Sequence, residues 1–261
     1  MKRSTRQSPR IVAATESTAG RTRAPAADRT DHAIHGPTRL VNEPLPEKKR
    51  RAARILAGLK KRYPEADCAL KHYDAFELLV ATILSAQCTD ETVNKVTPVL
   101  FAKYPTPTAL AAANSEDVET IIHATGFFRQ KTRSILATST ILVQEFAGCV
   151  PDNMEALLTL PGVARKTANV VLGTAFGKNE GVVVDTHVGR LASRLGLTWT
   201  AKDAKDAVKI ENDLRRVVPR KQWTYLSHAL IWHGRKVCSA RRPACHECSL
   251  AKHCPSAGQF A

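Results

Sequence analysis

The sequence predicts an all-α fold, and three features of the chain support this prediction. Beyond residue 46, apolar residues recur at the i, i+3, i+4, i+7 spacing of one helical face. The periodic segments are short, and turns that contain Gly or Pro separate them. The one strand-like run, the valines at 182–184, is too short to anchor a sheet.

The predicted helices follow one another along the chain. The first begins at Glu47 and ends at Tyr63, because Pro64 disfavours helical backbone at the residue before it. The second has an apolar face that extends from Phe76 to Gln87. Further starts are predicted at 89–91, 115–117 and 152, ends at Gly126, Gly177 and Gly196, and helical stretches at 135–143, 168–176, 188–195, 203–217 and 221–234.

The chain has 261 residues and a net charge of +15, which favours a phosphate-rich partner. Residues 1–46 lack apolar periodicity and mix Ser, Thr, Arg, Ala and Pro, so we predict a disordered basic leader. Because this leader contributes only +4, most of the excess charge belongs to the folded body. Nucleic acid is the first candidate partner and an anionic membrane surface the second. The leader is either an organelle transit peptide or a tail that adds contacts to DNA.

The composition excludes two classes of protein. No run in the sequence approaches the roughly 20 apolar residues of a membrane-spanning helix, so we predict no membrane partner. The apolar run at 11–14 is too short for a secretory signal. We therefore expect an intracellular protein whose seven Cys stay reduced, without a disulfide framework.

Four of the Cys lie in a short C-terminal segment with the spacing C-x6-C-x2-C-x5-C. Four thiolates so close in sequence can converge on one metal centre. The single C-x2-C pair and the longer spacings favour a [4Fe–4S] cluster, with a structural zinc site as the alternative. Arg241 and Arg242 lie between the first two Cys, where they are either phosphate contacts or solvated surface residues. The predicted ligands are Cys238, Cys245, Cys248 and Cys254.

The segment LPGVARK at 160–166 lies between two predicted helices. Pro161 and Gly162 force a sharp turn, and the second helix begins at once, so its first N–H groups are available to a DNA phosphate. The alternative is an ordinary turn between two helices. Lys166 lies in the first turn of that helix, beside Arg165, and a lysine in its neutral form is a nucleophile that forms Schiff bases.

Asp185 follows the valine run and precedes the next predicted helix. An Asp in this position is commonly an N-cap, which accepts hydrogen bonds from N–H groups of the first helical turn. A catalytic role is the second interpretation. The two interpretations are compatible, because a cap would hold the carboxylate rigid and ionised at the edge of a cleft.

Together these motifs resemble those of the endonuclease III family, which are DNA glycosylases of the helix–hairpin–helix superfamily with an iron–sulfur cluster. The resemblance covers about residues 47–257. It implies two helical domains with a DNA-binding cleft between them: a six-helix barrel at 68–179, and an iron–sulfur cluster domain formed by 47–67 and 180–261. The matching stretches are LSAQ at 84–87, LPGVARKTANVV at 160–171, VDTH at 184–187, HGR at 233–235 and the four-Cys spacing.

The resemblance also implies the activity, which is removal of oxidised pyrimidines flipped out of duplex DNA, followed by β-elimination at the abasic site. It implies that Lys166 is the Schiff-base nucleophile and Asp185 the essential carboxylate. Gln87 would fill the gap left by the flipped nucleotide, and Phe127 would be an apolar wedge beside the opposite strand. The other implied site residues are Gly162, Ala164, Arg165, Arg241 and Arg242 at the DNA, and Asp90 and His187 in the base pocket.

One residue departs from the family's hairpin, which has Gly where this chain has Ala164. Because Gly permits positive φ and a close approach of backbone to phosphate, we expect altered DNA affinity with the chemistry retained. Two rival functions fit the motifs less well. A mismatch-specific adenine glycosylase lacks the hairpin lysine, and a non-catalytic DNA-binding protein needs neither Lys166 nor Asp185. The expected form is a cytoplasmic monomer associated with the nucleoid of a bacterial cell.

Overall fold

The structure is a computed structural model that describes residues 42–259. This part of the chain contains eleven α-helices joined by loops and short 3-10 turns, and no residue within it belongs to a strand. None of the described helices combines the length and apolar character that crossing a membrane requires. The predicted all-α class is confirmed. The helices are α1 (Leu45–Arg62), α2 (Ala75–Leu84), α3 (Asp90–Lys103), α4 (Pro107–Ala111), α5 (Ser115–Ile122), α6 (Phe128–Glu145), α7 (Met154–Thr159), α8 (Arg165–Ala175), α9 (Thr186–Arg194), α10 (Ala207–Val217) and α11 (Trp223–Lys236).

Side-chain caps set many of the helix starts, and two of them correct the prediction. Asn114, not Ser115, is the cap of α5, and its Oδ1 accepts hydrogen bonds from two first-turn N–H groups at 2.8 and 3.3 Å. Asn153 is the cap of α7. Asp152, the predicted start of that helix, instead forms an ion pair with Lys178.

Four other features differ from the prediction. Helix α1 begins at Leu45, inside the predicted leader, whose residues 1–41 lie outside the described part of the chain. Helix α2 ends at Leu84, so Gln87 is not on its apolar face. Helix α10 begins only at Ala207, because Asp206 caps it by accepting a hydrogen bond from a first-turn N–H at 3.3 Å. Helix α4 has five residues, too few to show a helical period.

Two hydrophobic cores organise the helices. The first contains buried residues between 70 and 183, which come mainly from α2 to α8. The second combines buried residues at 52–66 with others at 182–250, which come mainly from α1, α9, α10 and α11. The exact domain boundaries, at 67/68 and 179/180, stay a prediction.

The valine run passes between the two cores. Val183 packs in the first core, whereas Val182 and Val184 pack in the second. Successive side chains of extended backbone point to opposite sides, which explains the strand-like sequence. The N–H of Val183 donates to Ser227 Oγ at 3.0 Å, so a side chain satisfies a group that a neighbouring strand would otherwise bind. Asp185 follows directly and is thereby placed where the two cores meet.

Candidate functional site

One pocket contains both predicted catalytic residues. It has about 600 Å³ of open space, and residues that pack in both cores contribute to its wall. Lys166 comes from α8 and Asp185 from the loop before α9. A lysine amine, three carboxylates and several other hydrogen-bonding groups therefore share one cavity. Its polar lining residues are Asp67, Cys68, Thr82, Ser85, Asp90, Lys166, Asp185, His228, Trp232 and Arg235.

The hairpin between α7 and α8 places Lys166. Gly162 has φ 79°, and a Cβ at this position would lie 3.0 Å from Ser134 Cβ, so the turn requires Gly. Thr138 Oγ1 donates to the carbonyl of Pro161 at 2.8 Å, which holds the turn against α6. Lys166 is the second residue of α8 and is exposed, so a substrate can reach it.

Ala164 is the N-cap residue of α8, with an extended backbone at φ −96° and ψ 170°. Residues other than Gly adopt this conformation without strain. The expectation that Ala164 replaces a Gly needed for positive φ is therefore wrong. An effect of its methyl group on the approach of a phosphate stays a prediction. Among the described residues no side chain caps α8, which leaves its first N–H groups available to an anion.

Asp185 is the N-cap of α9, as its position in the sequence predicts. Its Oδ1 accepts a hydrogen bond from the N–H of Val188 at 2.8 Å, while the half-buried side chain also lines the pocket. The cap therefore fixes a carboxylate on the wall of the cavity, and the capping and catalytic interpretations apply to the same conformation.

An ion pair joins two walls of the pocket. Arg235 Nη2, on α11, lies 2.6 Å from Oδ2 of Asp90 at the start of α3, and both residues line the cavity. His187, also predicted for the base pocket, is not among the lining residues of the cavity. Its Nδ1 accepts a hydrogen bond from Arg190 Nη2 at 3.1 Å, and burial lowers the pKa of its imidazole. The structure thus brings Asp90, but not His187, to the cavity.

Gln87 and Phe127 share an uncommon backbone conformation. Their φ angles are 52° and 48°, in the left-handed region, which costs a residue other than Gly about 1–3 kcal/mol. Both residues are exposed, Phe127 to 69%. The only other described non-Gly residue with positive φ is Ala147. Such strained positions are concentrated at binding and catalytic sites, which suits the DNA contacts predicted for Gln87 and Phe127.

The three Arg predicted to contact DNA have different surroundings. Arg165 Nη2 lies 3.4 Å from Glu211 Oε1, and this ion pair links α8 to α10. Arg241 and Arg242 are exposed. Their loop is braced by Ser239, whose Oγ donates to the carbonyl of Arg242 at 2.6 Å. Two cations are thus presented on a loop of defined shape.

The four Cys of the C-terminal segment line a second pocket, with about 410 Å³ of open space. Arg194 Nη1 lies 3.3 Å from Cys238 Sγ, and His233 Nε2 lies 3.3 Å from Cys248 Sγ. The hydroxyl of Tyr63 is hydrogen-bonded to Nδ1 of His233 at 3.0 Å. In the described part of the chain, no three His, Cys, Asp or Glu side chains form a group that could hold a metal ion.

Three of the pocket residues on α11 lie on one face of that helix and carry no assigned role from the sequence. His228, Trp232 and Arg235 lie at i, i+4 and i+7, on one face of the helix. The spacing is visible in the sequence, but such a mixed face is equally typical of a helix that packs on a neighbour. Only the tertiary structure shows that this face turns toward the cavity of Lys166.

Comparison with known proteins agrees with this geometry. Residues 80–220 match the family model of the HhH-GPD superfamily base excision DNA repair proteins. An endonuclease III of Synechocystis sp. is 56% identical over 213 residues, which are 82% of this chain and 95% of that protein. The endonuclease III of Bacillus subtilis is 43% identical over 194 residues, 74% of this chain and 86% of that protein.

Solved structures show the same similarity. A trapped endonuclease III–DNA covalent intermediate matches with a TM-score of 0.74 at 40% identity, over 81% of this chain and 97% of that chain. A thermostable thymine-DNA glycosylase matches with a TM-score of 0.70 at 22% identity, which shows a shared fold alone. The predicted two-domain helix–hairpin–helix glycosylase fold is confirmed. The chain belongs to the endonuclease III family, within the HhH-GPD superfamily of base excision DNA repair proteins.

Proposed function

We propose that this protein removes oxidised pyrimidines from duplex DNA and cleaves the strand at the resulting abasic site, as a bifunctional glycosylase and lyase. The observation that carries the proposal is the single pocket lined by Lys166 and Asp185. A lysine forms covalent imines with the carbonyl carbon of a sugar. A relative with 40% identity was captured as an endonuclease III–DNA covalent intermediate, which supports the same chemistry here.

The reaction begins when the neutral amine of Lys166 attacks C1′ of the damaged nucleoside. The C1′–N bond breaks, and the base leaves with the bonding electrons and takes up a proton. A proton from the new ammonium passes to the ring oxygen, the C1′–O4′ bond opens, and an iminium forms at C1′. The iminium acidifies C2′–H, and loss of this proton expels the 3′ phosphate, which cuts the strand. Water then hydrolyses the imine and regenerates Lys166.

Asp185 and the ion pair of Asp90 with Arg235 supply the polar environment of this reaction. The cap to the N–H of Val188 holds the carboxylate of Asp185 in place. There it can accept a proton from Lys166 or stabilise the positive charge that develops on the sugar. Arg235 offers N–H donors to the carbonyl groups of a flipped pyrimidine, and Asp90 orients Arg235 through their 2.6 Å contact.

Two exposed side chains would enter the duplex around the extruded nucleotide. The amide of Gln87 both donates and accepts hydrogen bonds, which suits an unpaired base. Phe127 supplies an apolar surface that stacks against the neighbouring bases. The N-terminus of α8 would bind a phosphate through its N–H groups. Arg241 and Arg242 would add positive charge near the backbone.

We propose that the C-terminal pocket holds a [4Fe–4S] cluster. Four Cys are the ligand set of such a cluster, and all four line one pocket with about 410 Å³ of open space. His233 and Arg194 each place a nitrogen 3.3 Å from a Cys sulfur, an arrangement typical of outer-shell donors at metal sites. Burial raises the pKa of Cys254 to about 11, which favours the protonated thiol. The charge of bound iron would offset this effect and keep the ligand deprotonated. The cluster's contribution would be structural and electrostatic.

The two hydrophobic cores support a further part of the proposal. We assign the first core, apart from Val183, to a six-helix barrel domain at 68–179 and the second to a cluster domain at 47–67 and 180–261. The substrate would bind in the cleft between them, at the pocket that Lys166 and Asp185 both line. Acting on genomic DNA, the protein would work as a monomer at the nucleoid of a bacterial cell.

Borohydride trapping tests the proposed reaction. One duplex contains a thymine glycol, and a second contains an abasic site. We expect a covalent adduct with both duplexes, its complete loss in Lys166→Gln, and no change in Lys95→Gln, where the lysine side chain is 70% exposed and paired with Glu91.

Two other outcomes would contradict parts of the proposal. An adduct with the abasic duplex alone would retain the lysine chemistry but contradict the proposed base specificity. No adduct with either duplex, with DNA binding intact, would support a non-catalytic DNA-binding protein.

A further inference from the structure

Lys131, on α6, is a buried lysine to which the proposed reaction gives no role. It is 5% exposed, and its Nζ donates to the carbonyl oxygen of Thr125 at 2.8 Å. Lysines are almost never this buried unless a partner compensates the charge. Here the partner is the main-chain carbonyl of Thr125, so the lysine holds the segment of backbone to which this carbonyl belongs.

Lys131 binds both sides of a short segment, the insertion loop (residues 125–127). Its ammonium binds the carbonyl of Thr125, and its backbone N–H donates to the carbonyl of Phe127 at 3.1 Å. Between these anchors, Gly126 has φ 69° and Phe127 has φ 48°. The side chain of Lys131 therefore fixes the start of the strained backbone that exposes the Phe127 ring, and the first helical hydrogen bond of α6 fixes its end.

The same ammonium group lies near the loop of Gln87. Burial lowers the pKa of Lys131, and the charge of Cys88, the residue that follows Gln87, raises it in part. Gln87 also has a positive φ, of 52°. Lys131 therefore contacts the segment that carries Phe127, and the charge of Cys88 links it electrostatically to the segment that carries Gln87.

The face of α6 that carries Lys131 continues to the hairpin between α7 and α8, which places Lys166. Ser134 and Thr138 follow Lys131 at i+3 and i+7, so the three residues share one face. Thr138 Oγ1 donates to the carbonyl of Pro161 at 2.8 Å, and a Cβ on Gly162 would lie 3.0 Å from Ser134 Cβ. Helix α6 thus contacts the insertion loop near its N-terminus and the hairpin between α7 and α8 further along.

We infer that Lys131 is a positioning residue, which holds Phe127 at a set place relative to Lys166. Insertion of the Phe127 ring then delivers the flipped nucleotide to the nucleophile. This inference rests on the proposed function, since it takes Phe127 as the wedge and Lys166 as the nucleophile. It requires that Lys131 matter only when a base must be displaced from a duplex, because an abasic site in a single strand has no stacked base to displace.

The variant Lys131→Met tests this requirement, because it keeps an unbranched apolar stem and removes the ammonium group. We expect kcat/KM on a thymine glycol duplex to fall about ten- to a hundredfold. We expect cleavage of a single-stranded abasic oligonucleotide to be unchanged. Lys95→Met serves as the control and leaves both activities unchanged. An equal loss on both substrates would indicate a merely structural role and overturn the inference.

The variant Phe127→Ala separates failure of this inference from failure of the proposed function. We expect Phe127→Ala to lower duplex activity, and the double variant Phe127→Ala/Lys131→Met to be no less active than Phe127→Ala alone. Losses that multiply would show that Lys131 acts independently of the wedge, which overturns the inference. No loss in Phe127→Ala would contradict the wedge itself, and with it the part of the proposed function on which the inference rests.

A second variant covers the case in which Lys131→Met does not fold. A Cβ added at Gly126 would meet no described atom within 4 Å, yet the φ of 69° is strained for Ala. Gly126→Ala therefore disturbs the insertion loop without disturbing the core, as a thermal unfolding scan would verify. We expect the same selective loss on the duplex, and unchanged duplex activity would overturn the inference.

Discussion

Asp185 combines, in one residue, a structural role and a proposed chemical role that different substitutions can separate. Its Oδ1 accepts the hydrogen bond from the N–H of Val188 that starts α9. This contact needs an oxygen acceptor but no negative charge. The proposed reaction needs the charge, because a proton or a developing cation must be stabilised in the pocket. Substitution of Asp185 by Asn therefore keeps the cap but removes the charge, whereas substitution by Ala removes both.

We expect Asp185→Asn to keep the free energy of unfolding within about 0.5 kcal/mol of the wild type, because Asn caps helices as well as Asp does. Asp185→Ala should lose about 1 kcal/mol, because the cap is removed. Both variants should lose borohydride trapping on the thymine glycol duplex. Denaturant unfolding and trapping measure the two effects, and retained trapping in Asp185→Asn would show that the carboxylate charge is not needed.

At the same scale, the resemblance identifies Gln87 and Phe127 but not their backbone. Neither is Gly, and nothing in the local sequence predicts the left-handed φ angles of 52° and 48°. For Phe127, the contact between Lys131 and the carbonyl of Thr125, two residues before it, is the tertiary contact that we infer holds this backbone. A buried lysine of this kind looks, in the sequence, like any polar residue of an amphipathic helix.

At the scale of elements, the hairpin between α7 and α8 has two small residues with different requirements. Gly162 combines φ 79° with a close approach to Ser134. Gly162→Ala should therefore lower the free energy of unfolding by at least about 1 kcal/mol and reduce trapping, because the turn that places Lys166 is displaced. Ala164 is extended, at φ −96°. Ala164→Gly should change stability by less than about 1 kcal/mol.

The second half of this prediction concerns DNA. Removing the methyl group of Ala164 should tighten binding to an undamaged duplex, because a phosphate can then approach the N–H groups of α8 more closely. Binding measured over a range of salt concentrations checks this expectation. If affinity and salt dependence are both unchanged, the methyl group does not obstruct a phosphate contact.

The sequence predicts the longer helices well, because their apolar period and their capping residues agree. Helices α8 and α9 have the predicted ends, before Gly177 and Gly196. The sequence-based prediction fails where a helix is too short to show a period, or where several neighbouring residues could each cap its start. Helix α4 is shorter than two turns, and the start of α5 lies among Asn114, Ser115 and two acidic residues, any of which can cap a helix.

At the scale of the whole molecule, the candidate active-site pocket could be predicted only in part. The motifs around Lys166 and Asp185 supply its proposed reactive groups. The wall contributed by α11, with His228, Trp232 and Arg235, depends on how that helix packs against the first core. The valines at 182–184 show why: their pattern indicates extended backbone, but only the fold shows that the backbone passes between two cores.

The two cores lead to a prediction about which part of the molecule unfolds locally when a proposed cluster ligand is lost. Three of the four proposed cluster ligands pack against the second core. Cys254→Ala should therefore abolish iron binding and accelerate amide hydrogen exchange in α1, α9, α10 and α11, while α2 to α8 stay protected. Cys149→Ala is the matched control, because Cys149 is exposed and lies outside the C-terminal pocket. Uniform acceleration over all eleven helices would contradict a division into two domains and indicate a single cooperative unit.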